Sequence, residues 1–144
     1  MRLYTVTRNN VTPNTSNDLL TLIAASNKPI KINRIRCTGE ATSSTAMRTV
    51  IQRSTGGTGA GGALTPEKTN TSDASANTVV DTTWSGQPSL SGSPLYNESW
   101  NAFAGGFDLT LDGREIYLLG AEQLSIRNTV GTGTLSIDVE FSEL

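Results

Sequence analysis

Apolar and polar residues alternate along much of the chain with a period of two. Leu135, Ile137, Val139 and Phe141 are interleaved with Ser136, Asp138, Glu140 and Ser142. Such alternation describes a strand with one buried face and one wet face. Upstream, Leu124 and Ile126 share a face opposite Ser125 and Arg127, and Val130-Gly131-Thr132-Gly133 joins the two runs. Pairing Thr129 with Thr134 sets Ile126 against Ile137 and Leu124 against Val139, so a closing β-hairpin with one continuous apolar row is expected. A second hairpin is expected where Phe107, Leu109 and Leu111 lead into Asp112-Gly113, a favoured two-residue turn. Pairing Leu111 with Arg114 sets Leu109 opposite Ile116 and Phe107 opposite Leu118.

The N-terminal half predicts further strands. Arg2 to Arg8 puts Tyr4 and Val6 on one face. Leu19 to Ala25 is nearly continuous apolar, as in a strand covered on both sides. Ile30 and Ile32 change phase to Ile35 and Cys37, which signals a bulge near Asn33-Arg34. Met47 to Arg53 and Thr78 to Trp84 complete the set. Two long polar segments separate these runs. One is Gly-, Thr- and Ser-rich, from Ser54 to Asn77, and the other runs from Gln87 to Gly106. Eight or nine short strands with no convincing helix predict an all-β, single-domain antiparallel β-sandwich over residues 1–144. Long crossings between strands favour a jelly roll over a meander.

Composition narrows the chemistry. Thr, Ser, Asn and Gly make up 61 of 144 residues, histidine is absent, and Cys37 is the one cysteine. A disulfide framework, a His/Cys zinc site and the Ser-His and Cys-His catalytic pairs are thereby excluded. Cys37 reads as a small buried hydrophobe. The net charge of −2 and the scattered arginines argue against nucleic acid, whose binding draws on clustered cations. The longest apolar run, Leu22 to Ala25, is far short of the ~20 residues of a spanning helix, so no membrane partner is expected. The N-terminus reads as a strand instead of an export signal.

Site chemistry is correspondingly sparse. The Gly-rich stretch from Gly56 ends in Ala-Leu-Thr-Pro and lacks the Lys-Ser/Thr of a phosphate-binding loop. Asp108, Asp112 and Glu115 are close in sequence but lack a recognised calcium-loop pattern. Together with Glu98 and Glu122 they are the candidates for a carboxylate pair, and each also fits a turn or a wet strand face. Trp84, Tyr96, Trp100 and Phe103 form the aromatic group of interest, either as a core lid or as a contact surface for a neighbour or a sugar. No catalytic residue, cofactor or metal is expected.

Two segments carry a family resemblance. Arg53-Ser-Thr-Gly-Gly-Thr-Gly-Ala-Gly-Gly-Ala-Leu-Thr-Pro-Glu-Lys68, with Ala74-Ser-Ala76 after it, resembles a loop of small tailed-phage virion proteins. Leu118-Leu119-Gly-Ala-Glu-Gln-Leu-Ser-Ile-Arg-Asn128 with Leu135 to Glu143 resembles their closing hairpin, one residue being inserted at Gly120-Ala121-Glu122. The resemblance covers about half the chain and points to the head decoration, or capsid cement, proteins of tailed bacteriophages. It implies a β-sandwich or jelly-roll subunit, often trimeric, made in the bacterial cytoplasm. Such a subunit sits on the outer capsid surface of the virion and bridges neighbouring major capsid proteins. Under that reading the contact residues are Arg2, Tyr4, Arg8, Leu64, Pro66, Lys68, Trp84, Tyr96, Trp100 and Phe103. The alternative is a receptor- or carbohydrate-binding module of a phage fibre or baseplate, with Trp84 or Trp100 stacking on sugar.

Overall fold

Fourteen strands and no helix make up the computed structural model, which describes residues 1–144. In chain order they are β1 (Arg2–Val11), β2 (Asp18–Ile23), β3 (Ile30–Gly39), β4 (Ala46–Thr55), β5 (Thr58–Gly61), β6 (Glu67–Lys68) and β7 (Val79–Asp81). They continue as β8 (Thr83–Gly86), β9 (Ser89–Leu90), β10 (Tyr96–Asn101), β11 (Gly106–Thr110), β12 (Ile116–Leu118), β13 (Gln123–Val130) and β14 (Leu135–Glu143). Two antiparallel sheets pack face to face as a β-sandwich. Sheet A has the order β11-β3-β14-β1-β6, with β12 also on β3. Sheet B has the order β10-β4-β13-β2-β7, with β9 also on β4. The chain crosses between the sheets at each step from β1 to β4, is in sheet B again at β10 after the short strands β5 to β9, and crosses again to β11, from β12 to β13 and from β13 to β14.

The alternating apolar rows all point between the sheets. Tyr4, Val6, Ile35, Ile137, Val139 and Phe141 come from sheet A, and Leu20, Leu22, Ile51, Leu124 and Ile126 come from sheet B. Tyr4 stacks on Phe141 with ring centroids 5.6 Å apart. Cys37 lies in this core, where burial drives its thiol pKa far upward.

Neither predicted hairpin forms. β13 pairs with β2 and β4, and β14 pairs with β1 and β3. Ile126 and Ile137 therefore meet across the core instead of along a ladder, and Val130 to Gly133 carries the chain from one sheet to the other. Likewise β11 and β12 do not pair with each other. Both pair with β3, β11 against Arg34–Thr38 and β12 against Ile30–Ile32. The Asp112-Gly113 turn is present, closed by Arg114 N–H on the Leu111 carbonyl at 2.8 Å, with Gly113 at φ 73°. It loops out of a strand that then resumes its direction. The bulge in β3 is where the phase change put it: Glu140 pairs with Arg34 and Phe141 with Ile32, which leaves Asn33 extra.

The segment between β4 and β10 closes the sandwich. Without it, β1 and β2 would both be open edges, and unpaired edges invite association. β6 pairs with β1 and β7 pairs with β2, so one excursion covers both. The 54–77 region is thus not a structureless loop: β4 runs into it to Thr55, β5 pairs with β8, and β6 joins sheet A. The 87–106 region likewise contains β9 and β10, the latter completing sheet B against β4. Thr78 to Trp84 is broken at Thr82 into β7 and β8.

Two buried side chains pin this excursion. Tyr4 Oη donates to the Ala74 carbonyl at 2.9 Å. Glu143 Oε1 accepts from the backbone N–H groups of Asn77 (2.6 Å) and Thr78 (2.8 Å) and from the Thr78 hydroxyl (3.0 Å). Burial pushes the Glu143 carboxyl upward, but the donors of Thr78 and Asn77 outweigh it and hold the group below the usual carboxylate range. A lowered folded-state value means stabilisation that is present above the ordinary glutamate pKa and is lost as pH falls through the folded value. Glu143→Gln is expected to cost about 1–3 kcal/mol at neutral pH. It should also flatten the fall in melting temperature between about pH 5 and pH 3. Calorimetry across that range on both forms is the check.

Candidate functional site

The structure scatters the predicted contact residues. Tyr4 is fully buried and is a core residue, out of reach of any partner. Leu64 packs against the core, with its N–H on the Val80 carbonyl at 2.9 Å. Lys68 turns its ammonium to the Thr71 and Asp73 carbonyls at 3.3 and 3.0 Å. Pro66 and Arg2 are half-buried and Phe103 is exposed. The aromatic group divides in two. Tyr96 and Trp100 face inward from β10, and Trp100 Nε1 donates to Thr49 Oγ1 at 3.0 Å. Trp100 also meets Phe107 edge-on at 6.0 Å, which seals that side of the sandwich. Trp84 lies on the outer side of sheet B, with Nε1 donating to Thr21 Oγ1 of β2 at 3.1 Å. Trp100 belongs to β10 of sheet B, whereas Trp84 belongs to β8 of the separate two-stranded β5-β8 sheet.

The outer face of sheet B is roofed, although Ser125 and Arg127 read as wet positions. Asp18 is buried beneath the 84–92 segment. Its Oδ1 accepts from Arg127 Nε at 2.8 Å, and its Oδ2 accepts from the hydroxyls of Thr21 and Ser125. Ser125 Oγ in turn bonds Ser54 Oγ at 2.7 Å. The roof is tied down by Arg127 Nη2 on the Pro88 carbonyl (3.1 Å) and by the Asp18 N–H on Gln87 Oε1 (2.9 Å). Gln52 Nε2 on the Gly92 carbonyl (2.6 Å) adds a third tie. Gly57 covers the Trp84 ring so closely that a Cβ there would lie 2.7 Å from Cζ3. Arg8 reaches the rim of this layer: its Nη1 donates to the Leu19 carbonyl at 2.7 Å. The structure therefore brings Arg8 and Trp84 to one cleft, bounded by the 12–17 connection and β8.

The outer face of sheet A is open, and its character changes along the strands. The middle is a ladder of paired charges, with Arg34 on Asp108 and Glu140, and Arg36 on Asp138. Toward the end where β1 begins and β14 finishes, the ladder gives way to apolar residues. Leu3 lies opposite Ser142, Ser142 opposite Lys31, and Lys31 opposite Tyr117, so these outward positions form one row across four strands. The next row out is Leu119, Pro29 and Leu144, the Leu144 N–H being bonded to the Pro29 carbonyl at 3.0 Å. Met1 continues it beside β14. Exposure is 47% at Tyr117, 60% at Leu119 and 51% at Leu144. Met1, Leu144, Pro29 and Leu119 form an apolar row flanked by Leu3 and Tyr117, while between those two Ser142 is buried and Lys31 is paired with Glu115.

The candidate carboxylates are each engaged or dispersed. Asp108 is held by Arg34, which lowers its pKa. Glu115 lies 3.8 Å from Lys31, and Glu122 pairs with Arg53 at 3.2 Å and accepts the Leu119 N–H. Asp112 sits on its turn and Glu98 on β10. No group of three acidic, His or Cys side chains is placed to hold a metal ion. Comparison of the chain with protein-family models, with curated proteins and with solved structures finds no match. Neither the patch on sheet A nor the Asp18 layer was read as a site from the sequence, and the one local signal that could have found the patch is Leu118-Leu119, an apolar pair at a strand end.

The two ion-pair settings predict opposite sensitivities. Asp18→Asn leaves the half-buried Arg127 without its anion and is expected to cost roughly 3–5 kcal/mol. Asp138→Asn on the exposed ladder is expected to cost less than about 1 kcal/mol. Urea unfolding followed by tryptophan fluorescence measures both.

Proposed function

We propose that the chain is a structural virion protein that decorates a tailed-phage capsid from outside and bridges neighbouring major capsid proteins. The apolar end of the outer face of sheet A carries this reading. A polar-rimmed apolar patch of several large residues is the usual mark of a protein contact surface. It lies on a sheet whose remaining outward positions are paired charges, threonines and serines, so the face offers one sticky zone and one wet zone. The loop and strand segments that resemble decoration proteins, and side chains engaged in structure instead of poised for catalysis, support the same reading. Docking would bury Tyr117, Leu119 and Leu144 and so favour the assembled shell by mass action.

Purified protein is expected to co-sediment with capsids that lack it. Tyr117→Asp with Leu119→Asp should weaken that binding at least tenfold while leaving the melting temperature nearly unchanged, because both side chains are already exposed. Binding to another virion component with none to capsids, or undiminished capsid binding by the double variant, would overturn the proposal.

A further inference from the structure

The cleft beside Arg8 has a chemistry that capsid docking does not use. Arg8 is half-buried, and burial alone lowers its pKa, with no acidic neighbour acting on it. No carboxylate lies within ion-pair distance of it. The nearest acid of the cleft, Asp18, is already spent on Arg127, Thr21 and Ser125. Arg8 Nη1 is held by the Leu19 carbonyl at 2.7 Å, with the Thr82 carbonyl at 3.4 Å. The Nε–Nη2 edge makes no hydrogen bond within the chain. That edge is the planar fork that takes a carboxylate by two parallel hydrogen bonds. A partly desolvated cation without an anion is costly, and an incoming carboxylate relieves that cost.

The rim adds a second requirement. Asn14, Asn17, Thr83 and Gln87 line the same cleft. Asn14 uses its Oδ1 on the Ser16 N–H and keeps its amide donors free, and the Asn17 side chain has no partner in the chain. Side-chain amides and hydroxyls both donate and accept, which matches sugar hydroxyls. An acidic protein side chain would need the cation and little else. The cleft volume is about 130 Å³, below the range of sites for drug-sized ligands, so it suits one small residue and not a long chain.

We infer that this cleft binds a carboxylate-bearing sugar, a hexuronic acid residue, with Arg8 holding the carboxylate and Asn14 and Asn17 the hydroxyls. The inference is independent of the capsid reading. Its test is an NMR titration with glucuronate, glucose and acetate, following the indole N–H of Trp84 in the cleft and that of Trp100 across the sheet. Glucuronate is expected to shift Trp84 and spare Trp100, and to bind at least tenfold more tightly than glucose or acetate. Arg8→Gln should weaken glucuronate at least tenfold, and Arg114→Gln, on an exposed turn, should not. Arg8 also holds two carbonyls, so Asn17→Asp serves as a variant that leaves those bonds intact. It places a like charge at the rim and should weaken glucuronate several-fold. Equal binding of glucose or acetate, a shift confined to Trp100, or unchanged affinity in Asn17→Asp would overturn the inference. So would displacement of glucuronate by a poly-glutamate peptide at lower concentration.

Discussion

The open side of the sandwich is the constraint from which much of the rest follows. Without β6 and β7, the β-sandwich leaves β1 and β2 as neighbouring edges of its two sheets, with a seam between them leading to the core. Within its long excursion between β4 and β10 the chain covers this seam by laying β6 on β1 and β7 on β2. Covering an edge with two- and three-residue strands gains few ladder bonds. The excursion is therefore fixed from inside, by Tyr4 Oη and by the Glu143 carboxylate, which meets three donors from Asn77 and Thr78. A carboxylate so placed is tolerated because two of its donors are backbone groups that would otherwise be unsatisfied, and Lys28 Nζ lies 3.9 Å from its other oxygen. Arg8 performs the same work at the other end of the seam, where it spans from β1 to carbonyls of Leu19 and Thr82.

The inside–outside sense of each strand that alternates was legible, and its partner was not. Alternation correctly turns Leu124, Ile126, Ile137 and Val139 inward, yet it cannot tell a ladder neighbour from a residue facing across the core. In a sandwich both arrangements put the same side chains in the same interior. The short Val130 to Gly133 link suits a hairpin as well as a crossing between sheets. Asp112-Gly113 failed for a related reason. The local turn is real, but opposite it β3 bulges at Asn33, and β12 resumes the direction of β11. That bulge could be read from the shift of Ile30 and Ile32 to Ile35 and Cys37, because a phase change is a local property.

The same limit hid the site. Ser125 and Arg127 look like wet positions because period two reports which face a residue takes and not what covers that face. The cover comes from residues 84–92, distant in sequence, and it leaves Trp84 and Trp100 on opposite sides of sheet B. Pairing the two indoles as one surface treated sequence proximity as spatial proximity. β10 was missed because Tyr96 to Asn101 is mostly polar, and an edge strand is permitted to be.

The two outer faces then divide the work. Sheet B buries its outer face under a hydrogen-bonded roof, which commits its polar groups to one another and leaves little for a partner beyond the Arg8 cleft. Sheet A leaves its face bare. Its ladder of Arg34, Asp108, Arg36, Asp138 and Glu140 adds little stability, since exposed pairs are worth under about 1 kcal/mol each. Paired charges are costly to strip of water, however, so the ladder resists burial against any surface that does not match it. The apolar row from Leu144 to Leu119 carries no such penalty, and the row from Leu3 to Tyr117 carries it only at Lys31, paired with Glu115. Under the proposed docking, a flat surface pressed against sheet A would be directed to one end of it, and its orientation would follow from where the ladder stops.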